Sequence, residues 1–245
     1  YNNNLLYHGC VPLNDDGSFK EVEIYGRTYK GRELYDVLES YVRKAFFALD
    51  KEEKQRGRDI LWFIWSSPAS PLFGKDKMAT FERYFLAEKE THVEKKNSYY
   101  RLLEDENVVD NIFREFGIEG DCCHIINGHV PVHHTSGESP IKCGGKVLVI
   151  DGGFSKAYQK ETGIAGYTLI YNSWGMILAA HEPFTSAEDA ITRESDILSD
   201  SILVKRTSLR KTVGDTDNGH HLQESIDELK QLLKAYRNGQ IIEKE

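Results

Sequence analysis

The sequence predicts a mixed α/β fold, and three observations carry that prediction. Short apolar runs bounded by glycine, asparagine or proline read as buried strands. Between them lie longer stretches in which apolar residues recur every three or four positions, the spacing of an amphipathic helix. Helix and strand also follow each other directly, as in Tyr99 to Phe116 and then Cys122 to Asn127, which is the order of α/β layering.

Taken in order, Leu5 to Tyr7 reads as a short buried strand that stops at His8. Phe19 to Tyr29 alternates through Val22 and Ile24 and predicts a hairpin or paired edge before Gly31. From Arg32 the spacing turns helical, with Leu34, Val37, Leu38, Tyr41, Val42, Ala45, Phe46 and Leu49 on one face, and the helix is expected to end near Asp50. Lys51 to Arg58 reads as a charged connection leading into the most apolar window, Ile60 to Trp65. Two prolines, Pro68 and Pro71, then forbid regular structure and define a loop. A helical stretch begins at Phe81. Tyr99 to Phe116 predicts an amphipathic helix with Gly117 past its end. Val147 to Ile150 is a continuous apolar run closed by Asp151-Gly152-Gly153, and Gly166–Ile170 with Met176–Ala180 predicts an antiparallel hairpin ending at His181. Helices are expected over Ala187 to Ile202 and Leu222 to Tyr236, so that 187–245 reads as a helical C-terminal extension.

Composition bounds the function. With 245 residues, 40% apolar and 29% charged, the chain can bury a sizeable core. A net charge of −8, from 31 basic and 39 acidic side chains, disfavours nucleic acid as a broad electrostatic partner. No run approaches the roughly 18 apolar residues of a membrane helix, and no signal-peptide pattern opens the chain, so no membrane partner is expected. Four cysteines, Cys10, Cys122, Cys123 and Cys143, show no C-x-x-C spacing, which suits a reducing cytoplasm. The only methionines are Met78 and Met176, and a strand pattern starts at once, so the chain reads as the C-terminal portion of something longer.

His8, His129 and Asp151 each follow an apolar strand, next to glycine, and imidazole with carboxylate is a donor set for zinc, iron or manganese. His133 and His134 would not easily both enter one site, since neighbours on a strand point to opposite faces, and with His124 they keep a structural reading. His92, His220 and His221 lie in polar stretches and carry no assignment. Cys10 or Cys123 beside a histidine offers a nucleophile, though nothing in the sequence orients such a pair. Lys75, Lys77 and Arg83 follow the proline loop and could clamp phosphate, or simply line a solvated helix face.

The motifs bear a resemblance. His8-Gly9-Cys10-Val11-Pro12 resembles the HGG-x-x-P motif of the phosphoprotein-phosphatase branch of calcineurin-like metallophosphoesterases, Trp65-Ser66-Ser67-Pro68 its WSDP loop, and Asn127-Gly128-His129 its later glycine-histidine motif, in the same order. The wording around them, such as WFIWSSPASPLFGKDKMATFERYF and LVIDGGFSKAYQKETGIAGYTLIYNSWG, resembles the class III fructose-1,6-bisphosphatases of Firmicutes over essentially the whole chain. This implies the C-terminal half of an α/β/β/α sandwich with added helices, 1–245 being part of a single catalytic domain. It also implies a dinuclear Mn²⁺ site, with His8 and His129 on one ion, that hydrolyses fructose 1,6-bisphosphate in gluconeogenesis; Lys75 and Arg83 are the candidate phosphate clamp. The early motifs D-x-H, G-D-x-x-D-R-G and G-N-H-E are absent from the sequence, Ser67 stands where the motif has aspartate, and Asp151 matches no family ligand. The expected partner is the N-terminal part of the same enzyme, a homo-oligomer is left open, and this polypeptide by itself is expected to be inactive. The rival classes are a non-catalytic sugar-phosphate-binding or scaffold module and a protein Ser/Thr phosphatase relative.

Overall fold

The computed structural model describes residues 1–120, 123–152, 159–160, 162–182, 186–193, 199–207 and 209–241; Cys122 and Gly153 lie outside them. Strand β1 (Asn4–Leu6) comes first, followed by β2 (Val22–Ile24) and β3 (Arg27–Tyr29), which pair antiparallel as the expected hairpin. Helix α1 (Gly31–Phe47) buries Leu34 and Leu38 against Val22, Ile24 and Ile60, a small core of its own.

The charged connection expected at Lys51 to Arg58 is instead helical, the first half of α2 (Lys51–Ser66). Its charges hide the apolar period but supply local helix contacts. Asp50 caps the start by accepting from the Glu53 N–H at 2.9 Å, Glu52 and Arg56 pair across one turn at 2.7 Å, and Glu53 reaches Lys44 of α1 at 3.0 Å. Contact with α1 is close because residue 57 is glycine: a Cβ there would lie 2.5 Å from the Ala45 nitrogen and 2.6 Å from the Tyr41 oxygen. A short α3 (Thr80–Phe85) follows.

The single helix predicted over Tyr99 to Phe116 is two, α4 (Tyr99–Leu102) and α5 (Glu106–Glu115). Asp105 restarts the helix by accepting from the Asn107 N–H at 2.9 Å, a side chain competing successfully with helix continuation. Strand β4 (His124–Asn127) lies between β1 and β6 (Val147–Val149), parallel to both, and β5 (Ile141–Lys142) runs antiparallel to β6. Leu5 faces Ile125 and Ile125 faces Val147. The strands read as continuous apolar runs because both faces are covered. Ile125 and Val147 join Val109 and Ile112 of α5 in one core, while Ile126 and Leu148 join Met176 on the other side.

Met176 belongs to a separate, antiparallel sheet of β7 (Gly166–Asn172), β8 (Gly175–His181) and β9 (Ser199–Arg206), whose first two strands form the expected hairpin. Here the helix expected over Ala187 to Ile202 is corrected: α6 spans Ala187–Arg193, 194–198 lie outside the described residues, and Ser199–Arg206 is a strand that pairs along β8. The open edge of β8 offers backbone partners that a surface helix could not use, and tertiary pairing overrides local preference. The stretch 187–245 is therefore not helical throughout. Helix α7 (Asp217–Arg237) is capped by Thr216, which accepts from the Gly219 N–H at 3.0 Å. Asn2 and Asp217 exchange two hydrogen bonds, tying β1 to the start of α7. Among the described residues no helix is long and apolar enough to cross a membrane.

Candidate metal centre

The topology delivers three side chains to one edge. His8 is the second residue after β1, His129 the second after β4, and Asp151 the second after β6. Adjacent parallel strands thus release their candidate ligands on the same carboxyl side, where α/β sheets characteristically bind. The loops are stitched as well: the Gly128 N–H donates to the His8 carbonyl at 3.0 Å, and the Ile150 N–H to the Asn127 carbonyl at 2.8 Å.

His8 Nε2 and His129 Nδ1 are 3.1 Å apart, with ring centroids 4.9 Å apart. The other nitrogen of His129, Nε2, donates to the Phe73 carbonyl at 3.0 Å, which leaves Nδ1 as a lone-pair donor facing His8. Fixing one ring nitrogen on a backbone carbonyl while the other faces the site is the usual second contact of a ligating histidine. His129 also holds φ at +69°, the left-handed region that a non-glycine residue occupies only when its surroundings demand it. Burial pushes the His129 imidazole below its ordinary pKa, and the nearby His8 and Lys75 act in the same direction against the Phe73 carbonyl and Asp151. The neutral form, the one that binds metal, is favoured.

With Nδ1 accepting, His8 Nε2 donates to it, and the length of this hydrogen bond also matches the spacing of two ligands on one divalent ion. Two nitrogens each about 2.1 Å from an ion, at 90° to tetrahedral angles, lie roughly 3.0–3.4 Å apart, which brackets the observed separation. Asp151 is close behind: a Cβ on Gly128 would be 3.8 Å from its Oδ2. Among the described residues, though, no three His, Cys, Asp or Glu side chains gather as a metal cluster, so two histidines are the donors that meet.

Gly9 explains how the loops approach. A Cβ at this position would lie 2.3 Å from the Pro71 oxygen, and the Cys10 N–H donates to that same oxygen at 2.8 Å. The proline loop, including the Phe73 carbonyl, is thereby seated on the His8 segment. Sequence reasoning missed Phe73, although the paired prolines had marked its loop as rigid.

Lys75 reaches the site electrostatically, through its effect on His129, but its Nζ is held by Glu94 Oε2 at 2.8 Å. Arg83 Nη2 lies 3.7 Å from Glu94 Oε1 and donates to the His92 carbonyl at 3.5 Å; among the described residues it makes no hydrogen bond with His8 or His129. Burial raises the Glu94 carboxyl, yet the Lys75 hydrogen bond, the Ala79 N–H and both cations outweigh it and hold the carboxyl below its usual range. Glu94 was not legible as a partner from sequence. Lys77 donates to the Thr91 carbonyl at 2.7 Å and serves the loop instead.

The cysteine nucleophile is excluded for Cys10. It is fully buried, and burial pushes its thiol up to about 12. Cys123 is buried too, donating to the Gly120 carbonyl at 3.0 Å. His124 is structural, with Nδ1 donating to Asn4 Oδ1 at 3.0 Å. The His133 N–H donates to Glu138 at 3.0 Å and His134 opens a short 3-10 turn, so neither sits on a strand as expected.

Fold and site together define an α/β chain with a histidine pair at the carboxyl ends of the parallel strands β1 and β4. The family model described as Firmicute fructose-1,6-bisphosphatase matches residues 1–238, and the chain belongs to that family. It is 60% identical over 243 residues to the class 3 fructose-1,6-bisphosphatase of Clostridioides difficile strain 630, covering 99% of this chain and 37% of that protein. It is 55% identical over 241 residues to one from Clostridium beijerinckii, covering 98% and 36%, and 54% identical over 246 residues to that of Clostridium novyi strain NT, covering 100% and 37%. The chain thus spans little more than a third of these relatives' length. No solved structure matches it.

Proposed function

We propose that this chain supplies the histidine side of a dinuclear metal centre in a cytoplasmic fructose-1,6-bisphosphatase of gluconeogenesis, hydrolysing fructose 1,6-bisphosphate to fructose 6-phosphate and phosphate. The observation that carries the reading is the 3.1 Å approach of His8 Nε2 to His129 Nδ1, with His129 Nε2 fixed on Phe73. A parallel sheet between helices and a second sheet is consistent with one part of a calcineurin-like α/β/β/α sandwich, the remaining ligands coming from the other part of the same enzyme. Mn²⁺ is the ion the motif resemblance implies, although an imidazole pair suits Zn²⁺ or Fe²⁺ equally well.

Bound metal ions would polarise phosphoryl oxygens and make water a stronger nucleophile at neutral pH. His129 presents the Nδ1 lone pair, held in place by Phe73, and His8 presents Nε2 once its proton resides on Nδ1. Asp151 adds negative charge behind the pair and favours a cation there. Lys75, adjacent through the Phe73 loop, contributes positive potential for phosphate while Glu94 fixes its position.

The test is His129→Ala in the complete enzyme. Activity on fructose 1,6-bisphosphate should fall by about 10³ with an unchanged circular dichroism spectrum, and chelator treatment of the wild type should produce a comparable loss reversed by Mn²⁺. Near-wild-type turnover in the variant would remove His129 from the ligand set.

A further inference from the structure

A groove of about 270 Å³ adjoins the histidine loops, and its walls carry Lys20, Lys75, Lys95 and Lys96 against Asp15 and Asp76. In a chain of net charge −8, this is a local excess of positive charge. Three separate segments supply it. The Lys20 N–H donates to the Pro12 carbonyl at 2.9 Å, the Leu13 N–H to Asn97 Oδ1 at 3.1 Å and the Asn97 N–H to the Gly74 carbonyl at 2.9 Å. Lys75 and Lys96 face each other across an isolated antiparallel bridge, so their side chains share one face. These are the same loops that seat His8 and receive His129, so the groove is fixed relative to the histidines.

The anions within it are already engaged. Asp76 Oδ1 accepts from the Lys95 N–H at 2.8 Å, and Asp15 Oδ1 accepts from the Ser98 hydroxyl with Arg101 at 3.6 Å. Lys75 is held by Glu94, whereas Lys20, Lys95 and Lys96 form no ion pair among the described residues. A second cleft of about 360 Å³ shares Asp15 and Lys96–Ser98 with the groove and reaches Asn127 and Val130, which flank the His129 turn. At that end, Asn127 is 2% exposed and its Oδ1 has no hydrogen-bond partner among the described residues. This cleft therefore links the residues on either side of the His129 turn to Lys96 of the groove.

We propose that Lys20, Lys95 and Lys96 form an anion subsite that holds the distal phosphate of a sugar bisphosphate whose other phosphoryl group lies at His8 and His129. This rests on the fructose-1,6-bisphosphatase reading and extends it to substrate choice: the lysines distinguish a bisphosphate from a monophosphate, and they contact the end that does not react. Removing them weakens binding without touching the groups at the reacting phosphorus.

The experiment uses the complete enzyme with Lys95→Gln and Lys96→Gln combined, and Lys20→Gln separately. For the double variant, KM for fructose 1,6-bisphosphate should rise about tenfold with kcat within twofold, while kcat/KM for fructose 1-phosphate, which lacks the distal group, stays unchanged. Calorimetric binding of fructose 6-phosphate to the metal-stripped protein should weaken by about the same factor, since that ligand carries only the distal phosphate. Equal effects on both substrates, or unchanged fructose 6-phosphate binding, would overturn the subsite. If the wild type hydrolysed neither substrate the catalytic reading would fail, and fructose 6-phosphate binding would still decide for or against the lysines.

Discussion

One histidine opens β4 and another stands just past its end, and their roles are opposite. His129 faces the His8 ring, whereas His124, five residues earlier, is 5% exposed and hydrogen-bonded to Asn4. Burial lowers the His124 pKa to about 4, with Lys205 and Lys211 acting in the same direction. A folded pKa below the unfolded value of about 6.5 means that the unfolded chain binds more protons, so stability is present above the unfolded pKa and is lost as pH falls towards 4. A shift of this size corresponds to at most roughly 3 kcal/mol. Thermal melts should therefore show Tm dropping between pH 6.5 and 4.5, and His124→Gln, though less stable at pH 7, should show a shallower slope; an unchanged slope would count against it. Gly9 offers a second residue-scale test. Gly9→Ala must move the Pro71 carbonyl, and with it the Phe73 acceptor of His129. Under the proposed metal centre, Mn²⁺ affinity of the complete enzyme should fall by about 10- to 100-fold although neither histidine is altered, and unchanged affinity would show that the loop adapts freely. Much of this scale was readable in sequence. The strand-end placement of His8, His129 and Asp151 follows from local apolar runs, but the contact of His8 with His129 depends on the pairing of β1 with β4, which no local pattern encodes.

At the scale of elements, what sequence concealed was tertiary in origin. Residues 51–58 carry almost no apolar period, so helix α2 is visible there only through its Asp50 cap and charge pairs. Residues 199–206 become a strand because β8 has a free edge. The Lys75–Glu94 pair joins residues that share no motif. The α1–α2 crossing gives a sharp test, because Gly57 meets backbone atoms that cannot rotate away. Gly57→Ala would gain helix propensity in an isolated peptide, yet here it should destabilise by about 1–3 kcal/mol, read as a lower midpoint in urea unfolding. A stabilised variant would mean that the helices can separate at little cost.

The whole molecule leaves much apolar surface uncovered. Phe47, Trp62, Trp65, Phe81, Tyr84 and Phe85 are each more than 60% exposed, and Leu222, Ile226, Leu229, Leu233 and Tyr236 form an open stripe along α7. Surface of this kind binds apolar probes or promotes association. The 245-residue polypeptide by itself should bind anilinonaphthalene sulfonate strongly while folded, and its sedimentation coefficient should rise with concentration; weak dye binding and a constant coefficient would contradict that. The sheet order has a further consequence, in time rather than space. His8 and His129 stand 121 residues apart in sequence. A ribosome adding 5–20 residues per second needs roughly 6–24 s to cover that distance. Throughout that interval β1 has no β4 to pair with, so its edge and the half-made histidine site wait together, and the pair can close only once β4 has emerged.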